Sequence, residues 1–132
     1  MSTINLSIMW GVNKVVLVGH LGKDPEIRHL ADNVSVASFP LATSEQVNTD
    51  DSRVEETEWH NVIMWRSLAD AAYKYLKKGK LIYLEGKIRT RTFEDKQGIQ
   101  RSITEILAEN FTILGRSSDF TPAENVTYRH SE

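Results

Sequence analysis

Several features that mark enzymes and membrane proteins are missing from this sequence of 132 residues. It contains no cysteine, which excludes disulfides and thiolate metal sites. It has no apolar run near the ~20 residues that a membrane helix needs. Its first ten residues have no basic leader and no clear cleavage site, so we expect no signal peptide. The four histidines are scattered, and neither an H-E-x-x-H motif nor a G-x-x-x-x-G-K-[ST] phosphate loop occurs. We therefore expect a cytoplasmic protein without enzymatic activity, metal or cofactor.

Positive charge is not in excess either, but it is unevenly distributed. The formal net charge is −2, whereas nucleic-acid-binding domains are often basic. Residues 74–101 nevertheless contain nine lysines and arginines against three acids, and residues 43–60 contain six acids against one arginine. A local positive field attracts phosphate even when the total charge is acidic, although ordinary solvated charge explains the same counts.

The pattern of β-branched residues and turn residues predicts a mainly β protein. The predicted strands are 12–21, 34–43, 56–65, 81–93 and 99–114, with a short continuation of the first at 26–30. One helix is predicted after Ser67 as N-cap, with Gly79 as its left-handed C-terminal cap. Its buried stripe is predicted to be Leu68, Ala71, Ala72, Tyr75 and Leu76. The polar residues 45–55 favour a long flexible connection.

Three strands, a helix and a two-strand hairpin are the element order of the OB-fold. This is an all-β, five-stranded Greek-key barrel, here with one α-helix between the third and fourth strands. Order alone does not decide the fold, because other small all-β proteins share much of it. We place this domain at 11–115, between an N-terminal extension at 1–10 and a tail at 116–132 that lacks periodicity and is expected to be disordered.

The strand at 81–93 carries the clearest chemical signal. Successive side chains of a strand point to opposite faces. One face is largely apolar and suits a barrel interior: Ile82, Leu84, Gly86, Ile88, Thr90 and Thr92. The other carries three cations with aromatic rings at either end, apart from Glu85: Tyr83, Glu85, Lys87, Arg89, Arg91 and Phe93. A groove that binds single strands without reading sequence needs this mixture, whereas a solvated outer face explains the charges but not Phe93.

The strand at 56–65 adds two tryptophans. Trp59 and Trp65 are six residues apart, so an unbulged strand points both to one face. Two tryptophans on one face usually belong to a core. Val62 and Met64, however, supply an opposite apolar face that can fill a barrel and leave the tryptophans outside, free to stack on bases. His60 shares the inward parity, which favours a hydrogen-bonded packing or subunit-contact residue over a metal ligand.

Taken together, six segments resemble the bacterial single-stranded DNA-binding protein family, in unbroken order over residues 11 to 115. They are Gly11-Val12-Asn13-Lys14-Val15-Val16-Leu17-Val18-Gly19, Leu21-Gly22-Lys23-Asp24-Pro25-Glu26, Leu41-Ala42-Thr43-Ser44, Thr57-Glu58-Trp59-His60, Tyr75-Leu76-Lys77-Lys78-Gly79 and Glu85-Gly86-Lys87-Ile88-Arg89-Thr90-Arg91. The resemblance implies an OB-fold homotetramer, associated with the nucleoid, that binds and protects single-stranded DNA during replication, recombination and repair.

The resemblance also implies roles for individual residues. The family's stacking positions correspond to Trp59, Trp65 and Phe93. Its basic positions along the DNA path correspond to Lys14, Lys78, Arg89 and Arg91, and Lys87 shares their strand face. The family histidine associated with subunit contacts corresponds to His60.

Two departures from the family pattern change what is expected of this chain. Val47 stands where many relatives have a further stacking aromatic, so binding should be weaker or engage a shorter strand. The sequence ends in Thr127-Tyr128-Arg129-His130-Ser131-Glu132 instead of an acidic tip finishing in Pro-Phe, which argues against recruiting replication and repair proteins through such a tip.

Other interpretations of the same residues stay open. A related OB-fold primosomal protein or an RNA-binding module would carry similar rings and cations, because stacking alone does not separate DNA from RNA. A purely structural oligomer is a further alternative, and it predicts no binding of single strands.

Overall fold

Seven strands and one α-helix make up the computed structural model, which describes residues 10–115 and the strand at 126–129. The strands are β1 (Val15–Leu21), β2 (Glu26–His29), β3 (Ser35–Asn48), β4 (Arg53–Trp65), β5 (Leu81–Glu94), β6 (Gln100–Gly115) and β7 (Val126–Arg129). The helix α1 (Arg66–Tyr75) lies between β4 and β5, and a 3-10 turn at Ala31–Asn33 joins β2 to β3. Most of the predicted extension, at 1–9, and the tail at 116–125 and 130–132 lie outside the described residues.

Five strands close a barrel in the order β1-β5-β6-β4-β3, with β3 pairing back to β1. The pairings are antiparallel except that between β4 and β6, where Val62 is registered with Ile106. The short β2, which was predicted as a continuation of the first strand, pairs with the start of β3. The predicted OB-fold is therefore confirmed, with its helix following the third strand of the barrel.

The segment at 126–129 forms a strand although its sequence pattern predicted no structure. β7 pairs antiparallel with β6 across residues 110–113. The parallel contact of β4 with β6 is confined to Val62↔Ile106 and Ile63↔Leu107. On this side of β6, the backbone groups after Leu107 are therefore available to hydrogen-bond with another strand. Such edge pairing uses backbone hydrogen bonds and leaves little signal in the side chains.

The barrel interior follows the predicted alternation of side chains. Val62 and Met64 on β4 are fully buried, as are Ile82 and Leu84 on β5. The remaining core residues come from β1, β3, β6 and the inner face of α1: Leu21, Ala37, Phe39, Leu41, Leu68, Ala69, Ala72, Leu76, Ile106, Ala108, Phe111 and Ile113. Because β4 turns Val62 and Met64 inward, the tryptophans of the same strand lie outside the core.

The helix differs from its prediction in three details. It begins at Arg66 with Trp65 as N-cap, so Ser67 is not the cap, and no side chain of the N-cap residue makes a capping hydrogen bond. Its stripe is rotated, since Ala69 is buried and Tyr75 is exposed. Gly79 has the predicted left-handed conformation, with a φ of 92°, but it lies beyond the C-cap. There its N–H donates to the Leu21 carbonyl at 2.8 Å, which ties the turn after α1 to the barrel.

The prediction of a flexible connection at 45–55 is wrong. β3 and β4 continue their pairing outward through this segment to Asn48↔Arg53, and only residues 49–52 form the turn. A strand that is exposed on both faces needs no apolar alternation, because backbone hydrogen bonds hold it. Its sequence therefore resembles that of a polar loop.

The second half of β5 also leaves the barrel. Gly86 is buried at a β-bulge, and a Cβ there would clash with the carbonyl of Leu107. Beyond Gly86 both faces are exposed, so Ile88, Thr90 and Thr92 do not line the interior as predicted. The pairing with β6 continues to Glu94↔Gln100, which makes a long hairpin.

Candidate nucleic-acid interface

A surface groove of about 740 Å³ runs along the outer face of the sheet. It is lined from β2, β3, β4, β5, β6 and the turn before β2 by Lys23, Asp24, Glu26, Arg28, Val36, Ser38, Phe39, Pro40, Asn61, Val62, Ile63, Trp65, Arg89, Arg91, Ile103 and Glu105. Three predicted site residues, Trp65, Arg89 and Arg91, therefore meet in one groove. Their meeting depends on the parallel contact of β4 with β6, which brings the third strand of the barrel beside the β5–β6 hairpin.

Trp59 lies outside the groove lining but on the same face of β4 as Asn61, Ile63 and Trp65. Its side chain is 61% exposed, so it is a surface residue and not part of the core. The ring rests over Gly22, where an added Cβ would lie 2.5 Å from Trp59 Cζ3. The absence of a side chain at residue 22 thus lets the indole ring come close to the turn that follows β1.

Phe93 lies near the end of the β5–β6 hairpin. It is 41% exposed, and the Arg91 guanidinium lies 5.7 Å from the centre of its ring. A cation over an aromatic face keeps both groups at one place on the surface. Phe93 therefore extends the surface of Arg89 and Arg91 outward along the hairpin.

Lys87 is exposed and lies on the other side of Trp65. A smaller cavity of about 400 Å³ joins Trp65 and Lys87 to Arg66, Leu107, Ala108 and Glu109. Trp65 therefore separates two depressions, one containing Arg89 and Arg91 and the other containing Lys87. The Trp65 ring therefore lies between the arginines of the first depression and Lys87 of the second.

The predicted basic residues Lys14 and Lys78 are not in either depression. Lys14 Nζ lies 3.5 Å from Glu85 Oε1 and 3.9 Å from Glu109 Oε1. Lys78 is exposed after α1, and its backbone N–H donates to Asp24 Oδ1 at 2.8 Å. Since Asp24 lines the main groove, Lys78 stands at its border, whereas Lys14 belongs to a separate cluster on β1, β5 and β6.

Glu85 is the acidic centre of that separate cluster. The Tyr83 hydroxyl donates to Glu85 Oε2 at 2.6 Å, and the Asn110 amide donates to Oε1 at 3.0 Å. These hydrogen bonds, with the charge of Lys14, lower the pKa of Glu85 to about 2. The same carboxylate raises the pKa of Tyr83 above its ordinary value, mainly through the hydrogen bond. Glu85 thus stays ionised under ordinary conditions and holds Lys14 nearby.

His60 is half-buried on β4, and its Nε2 lies 2.9 Å from Thr43 Oγ1 on β3. This agrees with a hydrogen-bonded packing role. Among the described residues no group of three or more histidines and carboxylates is placed to hold a metal ion. The role of His60 in subunit contacts stays a prediction.

Glu105 lies at the base of the groove and was not among the predicted site residues. Its side chain is 4% exposed and pairs with both Arg89 and Arg91. Glu105 lies outside the basic stretch 74–101. A count of charges along that stretch therefore does not include the carboxylate that pairs with Arg89 and Arg91. The predicted hairpin, with strands 81–93 and 99–114, pairs Phe93 with Ile99 and therefore Arg89 with Ile103. The observed register begins at Glu94↔Gln100 and puts Glu105 opposite Arg89.

No helix within the described residues is long and apolar enough to span a membrane. A closed five-stranded barrel, with one helix between β4 and β5 and an aromatic and basic groove on its outer face, defines an OB-fold protein of the single-strand-binding type.

Comparison with known proteins identifies the family. The model of the single-strand binding protein family matches residues 12–114. A single-stranded DNA-binding protein of Neisseria meningitidis serogroup A is 49% identical over 105 residues, covering 79% of this chain and 60% of its own length. Single-stranded DNA-binding protein 1 of Chlorobaculum tepidum is 42% identical over 120 residues, covering 89% of this chain and 74% of its own. The chain belongs to the single-strand binding protein family.

A solved structure supports the same assignment. A Plasmodium falciparum SSB in complex with ssDNA matches with a TM-score of 0.69 and 31% sequence identity, over 76% of this chain and 89% of that one. The present chain spans about 60% of the length of the Neisseria relative.

Proposed function

We propose that this protein binds single-stranded DNA without regard to sequence and protects it, without catalysing a reaction and without a cofactor. The observation that carries the proposal is the alternation of exposed rings and cations on one outer face of the barrel. Trp65, Arg89 and Arg91 share the groove, and Trp59 and Phe93 extend its surface. Family membership and the ssDNA complex of the Plasmodium relative support the same function.

The chemistry of this surface suits an unpaired strand. Trp59, Trp65 and Phe93 offer aromatic faces on which bases stack for ~1–3 kcal/mol each, and every base has such a face. Arg89, Arg91 and Lys87 lie between or beside the rings, where they neutralise phosphates. Lys78 at the border of the groove and Lys14 on β1 would contact a strand that continues beyond it. In a duplex the bases are stacked on each other, so the rings have nothing to bind.

Assembly into a homotetramer is part of the proposal. Val16 and Val18 are 52% and 49% exposed on the outer face of β1, and exposed apolar side chains that lie together favour contact with another protein surface. We assign His60 to the subunit contacts on the family resemblance. The setting we propose is the nucleoid, during replication, recombination and repair.

Tryptophan fluorescence during titration with oligo-dT tests the function. Trp10 is 91% exposed and lies outside the groove, so a W10F variant leaves only Trp59 and Trp65 as reporters. We expect strong quenching by oligo-dT that weakens as salt rises, and little by duplex DNA.

Two results of this titration would contradict the proposal. Absence of both quenching and binding would leave a structural oligomer as the better interpretation. Tighter binding of oligo-rU than of oligo-dT would favour an RNA-binding protein.

A further inference from the structure

Two arginines of the groove share a buried counter-ion. Glu105 on β6 is registered opposite Arg89 on β5. Arg91 Nε donates to Glu105 Oε1 and Arg91 Nη2 donates to Oε2, both at 3.2 Å. Arg89 Nη2 lies 3.5 Å from Oε1. The carboxylate therefore holds Arg91 by two hydrogen bonds and Arg89 by one ion pair.

Burial separates the carboxylate from its partners. The side chain of Glu105 is 4% exposed, whereas those of Arg89 and Arg91 are 42% and 52% exposed. A strand in the groove would meet the guanidinium groups, because the carboxylate lies underneath them. A guanidinium has five N–H donors, so Nη1 of Arg91 and Nε and Nη1 of Arg89 remain for phosphate oxygens.

We propose that Glu105 is a positioning residue that holds Arg89 and Arg91 in place for the DNA backbone and limits the salt dependence of binding. This inference rests on the function proposed above. Held guanidinium groups lose less conformational freedom when they bind, which strengthens binding. Glu105 also reduces the charge of the three side chains from +2 to +1, so fewer salt ions are released when DNA binds.

The replacement Glu105→Gln separates this role from simple repulsion of DNA. The glutamine is nearly the same size, but its NH2 group faces an arginine N–H donor in place of the second carboxylate oxygen, which breaks the two-bond contact with Arg91. We expect affinity for labelled oligo-dT to fall by about threefold or more at high salt. The slope of log K against log salt should steepen by ~0.7, the value for one further neutralised charge on a single strand.

Glu45→Gln is the matched control, because it removes the same charge at an exposed position of β3 away from the groove. We expect it to retain the wild-type salt slope. Equal effects of both replacements would attribute the change to net charge and overturn the proposal. Tighter binding of the Glu105→Gln protein at every salt concentration would show that Glu105 only repels DNA. Failure of the wild-type protein to bind oligo-dT would instead overturn the proposed function itself.

A measurement on the wild-type protein decides the question even if the buried replacement does not fold. In ¹⁵N spectra the Nε–H signal of Arg91 should be protected from solvent exchange in the free protein, because this group donates to Glu105. We expect that signal to persist when oligo-dT is added. Its loss in the complex would mean that DNA displaces the carboxylate, which is contrary to a positioning role.

Discussion

Two hairpins extend beyond the same barrel and carry opposite charges. The acidic hairpin, residues 44–57 of β3 and β4, contains five acids and one arginine, and the basic hairpin, residues 87–101 of β5 and β6, contains five bases and two acids. No ion pair is found within the acidic hairpin among the described residues, whereas Glu105 pairs with two arginines of the basic one. Backbone hydrogen bonds form both hairpins in the same way. The difference in their affinity for a polyanion therefore comes from their side chains.

The largest expected effect concerns one exposed apolar side chain on each hairpin, Phe93 and Val54. Phe93→Ala on the basic hairpin should weaken binding of oligo-dT by ~1–3 kcal/mol, because a stacking ring is lost. Val54→Ala on the acidic hairpin removes a side chain of similar exposure, 45% against 41%, and should leave affinity unchanged. Fluorescence anisotropy with a labelled oligonucleotide measures both. Equal losses would mean that the two hairpins take part alike.

A pair of charge reversals tests the basic surface itself. Lys87→Glu should lower affinity and reduce the steepness of the salt dependence by about one phosphate contact. Arg53→Glu makes the same change in net charge on the acidic hairpin and should alter the slope little. Titrations at several salt concentrations give the slopes. If both variants changed the slope equally, the field of the whole protein and not the basic hairpin would control binding.

The acidic hairpin contains a like-charge pair whose relief should be measurable. Glu45 and Glu56 are registered directly opposite each other. Like charges at such a position destabilise a sheet, and opposite charges contribute ~0.2–1 kcal/mol. Glu56→Lys should therefore raise the free energy of unfolding by about that amount in urea denaturation. An unchanged or lower value would show that the two carboxylates do not interact.

The smallest effect concerns acid stability and lies outside both hairpins. The folded-state pKa of Glu85 is lowered to about 2 from an ordinary value of 4.5. Folding then favours the ionised form, so this contribution is fully present above pH 4.5 and is lost as the pH falls through about 2. The Glu85→Gln protein should lose less thermal stability than the wild type as the pH falls across this range. Parallel melting-temperature curves would contradict this expectation.

The core could be predicted from the sequence because a barrel strand alternates strictly. Val62 and Met64 were expected inside and are fully buried, and the same holds for Ile82 and Leu84. The same alternation predicted that Trp59 and Trp65 share one face, and this face is the outer one because Val62 and Met64 point inward. Where a strand packs one face against the core, its apolar residues alternate with polar ones, and this alternation can be recognised in the sequence.

Features held by backbone pairing or by distant partners could not be predicted in this way. The outer half of the acidic hairpin has no buried face, so its residues resemble those of a loop. β7 likewise follows from an available edge of β6. The contact of Glu105 with two arginines depends on the register of β5 and β6, which a count of local charge does not contain.

The closure of the barrel has a consequence for how the molecule opens. β1 and β3 are joined at His20↔Ala42 and Leu21↔Leu41, and β4 and β6 at Val62↔Ile106 and Ile63↔Leu107, whereas the β5–β6 ladder runs from Leu81 to Glu94. Fewer hydrogen bonds have to break at these two junctions, and regions with few such bonds open at the lowest free energy. Amide hydrogen exchange should therefore begin at the two short junctions, with the long hairpins still intact. Local opening of the native state would then separate the strands of the barrel while the hairpins stay paired.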